Sequence, residues 1–331
     1  MTEKVLVTGS CGFIGSNLVA RLCEDGIDVV GVDDLSRKGS EYSHQALASY
    51  GNFSQRKVDV SDWSALSRVF RDDGPFDAIY HLAAQVAVTT SYLDRTADFR
   101  INAQGTFNVI EGANQFSHGA YCLYASTNKV YGHLIVDEPV GMQHKMDPYT
   151  PYGVSKAVGE LYFREYGRPE FGIDTCCLRQ SCIYGERQYG VEDQGWVAWF
   201  TAANLLSMPV TIYGDGHQIR DLLYVTDLID LYKLAWRNRL TGSYPVGGGI
   251  GNSISVKTAL ELIEATTGKK FVSRGEGPTR AGDQPFFVAD NSWAEAPNLG
   301  WQPKIGIEEG VRKLVESLSS RMDHLKQIFA K

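Results

Sequence analysis

The sequence predicts an α/β protein built on a doubly wound parallel sheet, followed by a smaller α/β lobe. Three observations carry that class. Short, continuous apolar runs alternate with helix-patterned stretches, the first run opens into a glycine-rich turn, and an acid closes the second run. Strands buried on both faces read as unbroken apolar runs, whereas half-exposed strands alternate with polar residues. Right-handed crossovers between such strands put helices on both faces of one sheet.

The elements follow in order. Val5-Leu-Val runs into Thr-Gly and then a helical stretch through Leu18, Ala20 and Leu22. Further strands are expected at 29–32, 53–58, 78–82, 120–125 and 174–180, with helices at 63–70, 97–114 and 152–166 between them. Past residue 180 the rhythm is broken by Gly and Pro, notably at 208–209, 214–216 and 247–251, and helices are expected at 196–207, 225–237, 256–267 and 307–328. The chain is thus expected to divide into a first domain over 1–180 and a lobe over 181–331, with some chain crossing back. The crevice between them is the natural ligand site.

Composition narrows the classes. With 331 residues the chain can bury a full core, and a net charge of −7 argues against a nucleic-acid surface. No run approaches the roughly 20 apolar residues of a membrane helix. The start, Met-Thr-Glu-Lys-Val, lacks the basic-then-apolar layout of a signal peptide. Six cysteines show no paired metal-ligand spacing, so free thiols, no metal site and a cytoplasmic location are expected.

The glycine-rich turn is Gly9, Gly12 and Gly15, spaced Gly-x-x-Gly-x-x-Gly between the first strand and the first helix. Without side chains the backbone can approach a pyrophosphate, whose charge sits at the helix N-terminus. Asp33 ends the second strand, where a carboxylate accepts from both ribose hydroxyls and repels a 2′-phosphate; this favours NAD over NADP. Arg37 and Lys38 lie close by. Asp59 and Val60 end the third strand beside the expected adenine. His81-Leu82-Ala83-Ala84 ends the fourth under the cofactor, with His81 read as a satisfied buried histidine. Asn102 is expected to support the site by hydrogen bonding.

The chemistry rests on Tyr152-Gly-Val-Ser-Lys156, preceded by Ser126-Thr127-Asn128-Lys129 at the end of the fifth strand. Residues four apart on a helix share a face. A phenol holds its proton to about pH 10, and a neighbouring ammonium favours the phenolate. Tyr152 is therefore a candidate general base, Lys156 its pKa-lowering partner and Thr127 a hydrogen-bond partner for the reacting oxygen. Ser126 is expected to support the strand end.

Together, Thr-Gly-Ser-Cys-Gly-Phe-Ile-Gly, His-Leu-Ala-Ala, Tyr152-x-x-x-Lys156 and Gly214-Asp-Gly-His-Gln-Ile-Arg-Asp-Leu-Leu-Tyr-Val-Thr-Asp227 resemble the extended short-chain dehydrogenase/reductase superfamily, in its nucleotide-sugar branch. The likeness spans nearly the whole chain. It implies a Rossmann domain with NAD held by Cys11, Phe13, Ile14, Asp34, Ser36 and Ile183 besides the residues above. Arg220, and Arg280 with Asp283, would grip a substrate diphosphate; paired guanidinium forks suit that group. Val86, Asn128, Lys129, Cys182, Arg187 and Gln188 would complete the substrate side. The segment from Leu178 to Phe200, with Ser126-Thr-Asn-Lys129, further resembles the CDP-paratose 2-epimerases, also called CDP-tyvelose 2-epimerases. That family oxidises carbon 2 of a CDP-activated hexose and re-reduces it on the other face. A homodimer or homotetramer, pairing helices 97–114 and 152–166, is implied as well.

Neighbouring activities differ at named positions. Nucleotide-sugar 4,6-dehydratases carry Thr-Asp-Glu where this chain has Thr127-Asn128-Lys129. An amide and an ammonium cannot act as the acid and carboxylate that eliminate water. A 4-epimerase or another oxidoreductase on a different nucleotide sugar remains an alternative, as does a non-catalytic nucleotide-binding regulator.

Overall fold

The computed structural model describes residues 2–134 and 137–330. Its strands run β1 (Lys4–Thr8), β2 (Asp28–Asp33), β3 (Phe53–Lys57), β4 (Ala78–His81), β5 (Tyr121–Thr127), β6 (Asp174–Gln180), β7 (Cys182–Tyr184), β8 (Val210–Tyr213), β9 (Ile219–Tyr224), β10 (Gly242–Val246), β11 (Ser253–Ser255), β12 (Arg274–Gly277) and β13 (Phe286–Phe287). The helices that matter below are α1 (Phe13–Glu24), α2 (Ser40–Leu47), α3 (Trp63–Asp73), α4 (Val88–Leu93), α5 (Arg95–Asp98), α6 (Gly105–Phe116), α7 (Pro151–Tyr166), α8 (Trp196–Leu205), α9 (Val225–Arg237), α10 (Val256–Thr267), α11 (Ile307–Ser319) and α12 (Met322–Phe329).

The central sheet has seven strands in the order β10-β6-β5-β4-β1-β2-β3, and every ladder in it is parallel. Its two faces carry separate apolar clusters. One joins Val5, Val7, Tyr80 and Leu123 to α1, α8 and α9; the other joins Leu6, Ile79 and Tyr124 to α3, α6 and Phe163 of α7. Alternate residues of one strand thus serve opposite faces, and each fully buried large apolar side chain contributes about 1.5–3 kcal/mol. The doubly wound class read from the sequence is the class observed.

Strand order reverses between β1 and β4, the switch point where such sheets bind ligands at their strand C-termini. β10 comes from the second half of the chain and returns to the first sheet as an edge strand, where Pro245 costs no ladder bond. β7, β9, β11 and β13 make a small second sheet, and β8 pairs with β12.

Two expected helices differ. The stretch 97–114 is one helical run interrupted by a π-helix over Phe99–Gln104. The stretch 307–328 is two helices, because Arg321 leaves helical geometry at φ −124°, ψ 32°. Among the described residues no helix is long and apolar enough to cross a membrane.

Candidate active site

A cleft of about 550 Å³ opens along the C-terminal ends of β1, β2, β4, β5 and β6. The glycine turn (Gly9, Gly12, Gly15) and the start of α1 (Phe13, Ile14) form its floor. Asp33, Asp34, Ser36, Arg37, Asp59 and Val60 line one end, and Leu82, Ala83, Ala84 and Val86 line the middle. Ser126, Thr127, Asn128, Lys129, Tyr152, Lys156, Cys182, Ile183 and Gln188 line the other side. Six candidates from the sequence do not line it: Cys11, Asn102, Arg187, Arg220, Arg280 and Asp283.

The turn is built for close approach. Gly9 has φ +70°, and a Cβ there would lie 2.7 Å from the Ala83 nitrogen; a Cβ on Gly15 would lie 2.0 Å from the Gly9 carbonyl oxygen. No side chain caps α1, so its first-turn amides face the cleft free for an anion. Asp33 accepts from the amides of Cys11 (3.0 Å) and Leu35 (2.8 Å), which orients its carboxylate at the edge of the cleft. Burial raises its pKa, and these backbone bonds pull it back. Cys11 contributes through that amide, its thiol facing Ser10 and Gln55. Cradle, open helix end and acid together fit a dinucleotide.

Lys156 reaches over the Tyr124 ring, Nζ 4.2 Å from its centroid, and Tyr152 hydrogen-bonds Thr127. Burial governs both titrations. It pushes the Tyr152 phenol up to about 12, the Thr127 bond opposing, and pushes the Lys156 amine down to about 7. The phenol-lowering role expected for Lys156 is not expressed in the protein alone: burial and Asp98 raise the phenol, and the Thr127 bond is what opposes them. Lys156 carries a stability consequence. Between pH 10.5 and about 7 the unfolded chain holds a proton on this amine that the folded chain does not, so stability falls as pH falls through that window. Lys156→Met should remove this dependence, about 1.4 kcal/mol per pH unit for one proton, and be more stable than the native protein at pH 7 by urea denaturation.

Buried polar bonds hold these groups in place. Asn102, in the π-helix, accepts from the Gln85 amide (2.8 Å) and donates to the Gln85 carbonyl (2.9 Å) and the Ser155 hydroxyl (3.0 Å). It joins the loop after β4 to α7 between Tyr152 and Lys156, so it acts through its neighbours. Ser126 donates to Glu160 (2.8 Å), and Glu160 is gripped by Arg179 through Nη2 at 2.7 Å and Nε at 3.0 Å. Arg179 also donates to the Tyr131 hydroxyl (3.2 Å). His81 bonds Thr8 (2.7 Å) and Thr106 (2.9 Å), and burial holds its pKa well below the usual histidine range, so it is a neutral structural residue as expected.

On the substrate side, Gln284 is fully buried and accepts from Asn128 Nδ2 (3.2 Å) and Lys129 Nζ (3.3 Å). Nothing local in the sequence marks Gln284; the pairing spans more than 150 residues. Burial, with Arg220 nearby, pushes the Lys129 amine down to about 8. Arg220 pairs with Asp283, and Arg280 lies 4.0 Å over the Tyr213 ring and donates to the Glu192 carbonyl (3.0 Å). Both arginines are therefore held just behind the cleft wall. Trp196 and Gln194 line the cleft, and Trp196 donates to the Cys182 sulfur at 3.5 Å. Gln85 and Ile101 also line it and were missed in the sequence, where neither sits in a recognisable motif. Arg187 faces a separate cavity described below.

The sequence model of the NAD dependent epimerase/dehydratase family matches residues 5–247. The chain belongs to that family. Its members are NAD-dependent, in keeping with the cradle and Asp33. Among curated relatives, the CDP-paratose 2-epimerase of Salmonella typhi is 37% identical over 96% of this chain and 99% of its own. The UDP-glucose 4-epimerase of Mycolicibacterium smegmatis is 34% identical over 95% of this chain and 97% of its own. Among solved structures, a Thermus thermophilus UDP-glucose 4-epimerase in complex with NAD superposes with a TM-score of 0.85 at 31% identity, covering 96% of this chain and 99% of that one. The chain is thus an NAD-dependent enzyme of the epimerase type.

Proposed function

We propose that this enzyme carries out 2-epimerisation of a CDP-activated hexose. The observation that carries the reading is the composition of the cleft around Thr127. Its lining carboxylates are Asp33, Asp34, Asp59 and Asp193, while Thr127 is followed by Asn128 and Lys129. Asp33 ends β2, three strands from β5, so it lies about 14 Å from Thr127 at ~4.8 Å per strand. Oxidation and reduction need no carboxylic acid beside the sugar, whereas water elimination does. The chain's similarity to the Salmonella typhi CDP-paratose 2-epimerase supports carbon 2 and cytidine over the alternatives.

In this reading Tyr152 takes the proton of the sugar 2-hydroxyl and later returns it. Thr127 donates to, or accepts from, that oxygen and the phenol in turn. Lys156, buried beneath, binds the cofactor ribose and biases the phenol toward its ionised form when it carries a proton. Held by the glycine turn and Asp33, NAD would supply the hydride-accepting and hydride-returning chemistry, and the positive charge of its oxidised form would favour the phenolate. Asn128 and Lys129, fixed by Gln284, offer hydrogen bonds to the ring substituents, and Arg220 and Arg280 turn to the diphosphate. Because the proton and hydride both return, no outside redox partner is consumed. Turnover of a panel of CDP-, UDP-, GDP- and dTDP-hexoses, with the product's configuration read by NMR, tests this. Inversion at carbon 2 of a CDP-sugar is expected; activity confined to UDP-sugars, inverted at carbon 4, would contradict it.

A homodimer or homotetramer is part of the same proposal. Leu93, Phe99, Val154, Leu161 and Tyr162 are exposed on α4, the π-helix and α7, a contiguous stretch that pairing of these helices would cover. Sedimentation at the mass of a single chain would overturn that pairing.

A further inference from the structure

A second cavity, about 740 Å³, lies outside the cofactor cleft between α2, the segment 186–189 and the pair α11 and α12. Its lining carries four permanent cations, Arg187, Arg312, Lys313 and Arg321, against two carboxylates, Glu186 and Glu316. That is a local excess of two positive charges in a chain whose net charge is −7. Arg312 spends its charge on Glu316 (2.6 Å) and Lys313 on Glu309 (3.2 Å). Arg187 and Arg321 have no carboxylate partner among the described residues. Arg321 bonds only the Ser317 carbonyl and hydroxyl and lies 5.4 Å over the Tyr189 ring. Arg187 holds φ at +61°, a left-handed conformation that a non-glycine residue adopts at a cost and that clusters at ligand sites.

The rest of the wall is aromatic. Tyr42 and His324 stack with centroids 4.0 Å apart and planes 4° from parallel, and the Tyr189 hydroxyl meets His324 Nδ1 at 3.1 Å. Guanidinium forks match phosphate oxygens, and flat rings match a base. The volume is far larger than a lone phosphate needs and falls in the range of small-molecule pockets.

We propose that this groove is a second nucleotide-binding site, taking phosphates on Arg187 and Arg321 and a base against the tyrosine wall. It shares one segment with the cofactor cleft. Gln188 faces the cleft, while its neighbours Arg187 and Tyr189 face the groove. Tyr189 also packs on Gly39 at the start of α2, just after Ser36 and Arg37 of the cleft wall. A nucleotide in the groove therefore bears on the segment that carries Gln188 into the cofactor cleft, and any such coupling is reciprocal.

Isothermal titration of the NAD-loaded protein with CDP, beside the Arg312→Gln/Arg321→Gln double variant, tests the site. Neither arginine lines the cofactor cleft, so the double variant should keep native turnover. It should lose one CDP-binding event, or bind it at least tenfold more weakly, and added salt should weaken that same event in the native protein. Identical stoichiometry and affinity in native and double-variant protein would overturn the proposal. Arg321→Lys, which keeps a cation but loses the guanidinium fork, covers the case of a misfolded double variant. It should weaken the same event several-fold, and no change would again overturn the site. Inorganic pyrophosphate should bind more weakly than CDP; equal affinity would refute the role of the aromatic wall.

Discussion

Tyr152→Phe should lower kcat by about 10²–10⁴-fold, the range for loss of a positioned acid–base group, while NAD stays bound and KM moves little. The substitution removes only the hydroxyl that exchanges a proton with the sugar. It leaves the ring that fills the buried space beside Thr127 and Lys156. Because burial lifts the phenol to about 12, its ionised fraction rises with pH, and native kcat should climb toward alkaline pH while the variant's residual rate stays flat. The check is a pH–rate series on both proteins, with bound NAD counted by absorbance. A variant retaining full activity would remove Tyr152 from the chemistry.

Removing one partner of the Glu160–Arg179 pair should have the largest effect on stability, about 3–5 kcal/mol, because it strands a buried charge. Glu160 is fully buried and Arg179 is 6% exposed, so neither ion can turn to water. Glu160→Gln is expected to lose several kcal/mol by urea denaturation, and Arg179→Met likewise. The double variant should lose less than the sum of the singles, since no unpaired charge then remains. Activity should fall beyond the stability loss, because the pair anchors Ser126 beside Thr127 and ties α7 to β5 and β6. Purely additive losses would show that the two residues do not act as a pair.

The inner strands β1, β2 and β4 were legible because they are buried on both faces and leave apolar runs, whereas the edge strands β3 and β10 are half-exposed and β10 carries no such run. The cofactor end was legible for a related reason: Gly9, Gly15 and Asp33 act through backbone geometry and position within one β-α-β unit. Tyr152 and Lys156 share a helix face, so spacing alone places them together, and Glu160 one turn further on could have been found the same way. What stayed hidden depends on contacts distant in sequence. Gln284 meets Asn128 and Lys129 only after the chain folds back, and the π-helix at Phe99–Gln104 keeps an ordinary helical pattern. The helix break at Arg321 is equally silent, since Leu318, Leu325 and Ile328 continue one apolar stripe across it. Arg187, which resemblance puts on the substrate side, lines both the second cavity and a small recess beside Cys11, Gly12 and Arg37, a position no local pattern in the chain specifies.

The most direct measurement uses a CDP-hexose carrying deuterium at carbon 2, with the product's configuration and label position read by NMR. The proposed chemistry requires the hydride to leave carbon 2 and return to the same carbon from the other face. The product should therefore be inverted at carbon 2 and keep its deuterium there, with no hydrogen taken from solvent. Inversion at carbon 4 with carbon 2 untouched, or loss of the label to water, would contradict it.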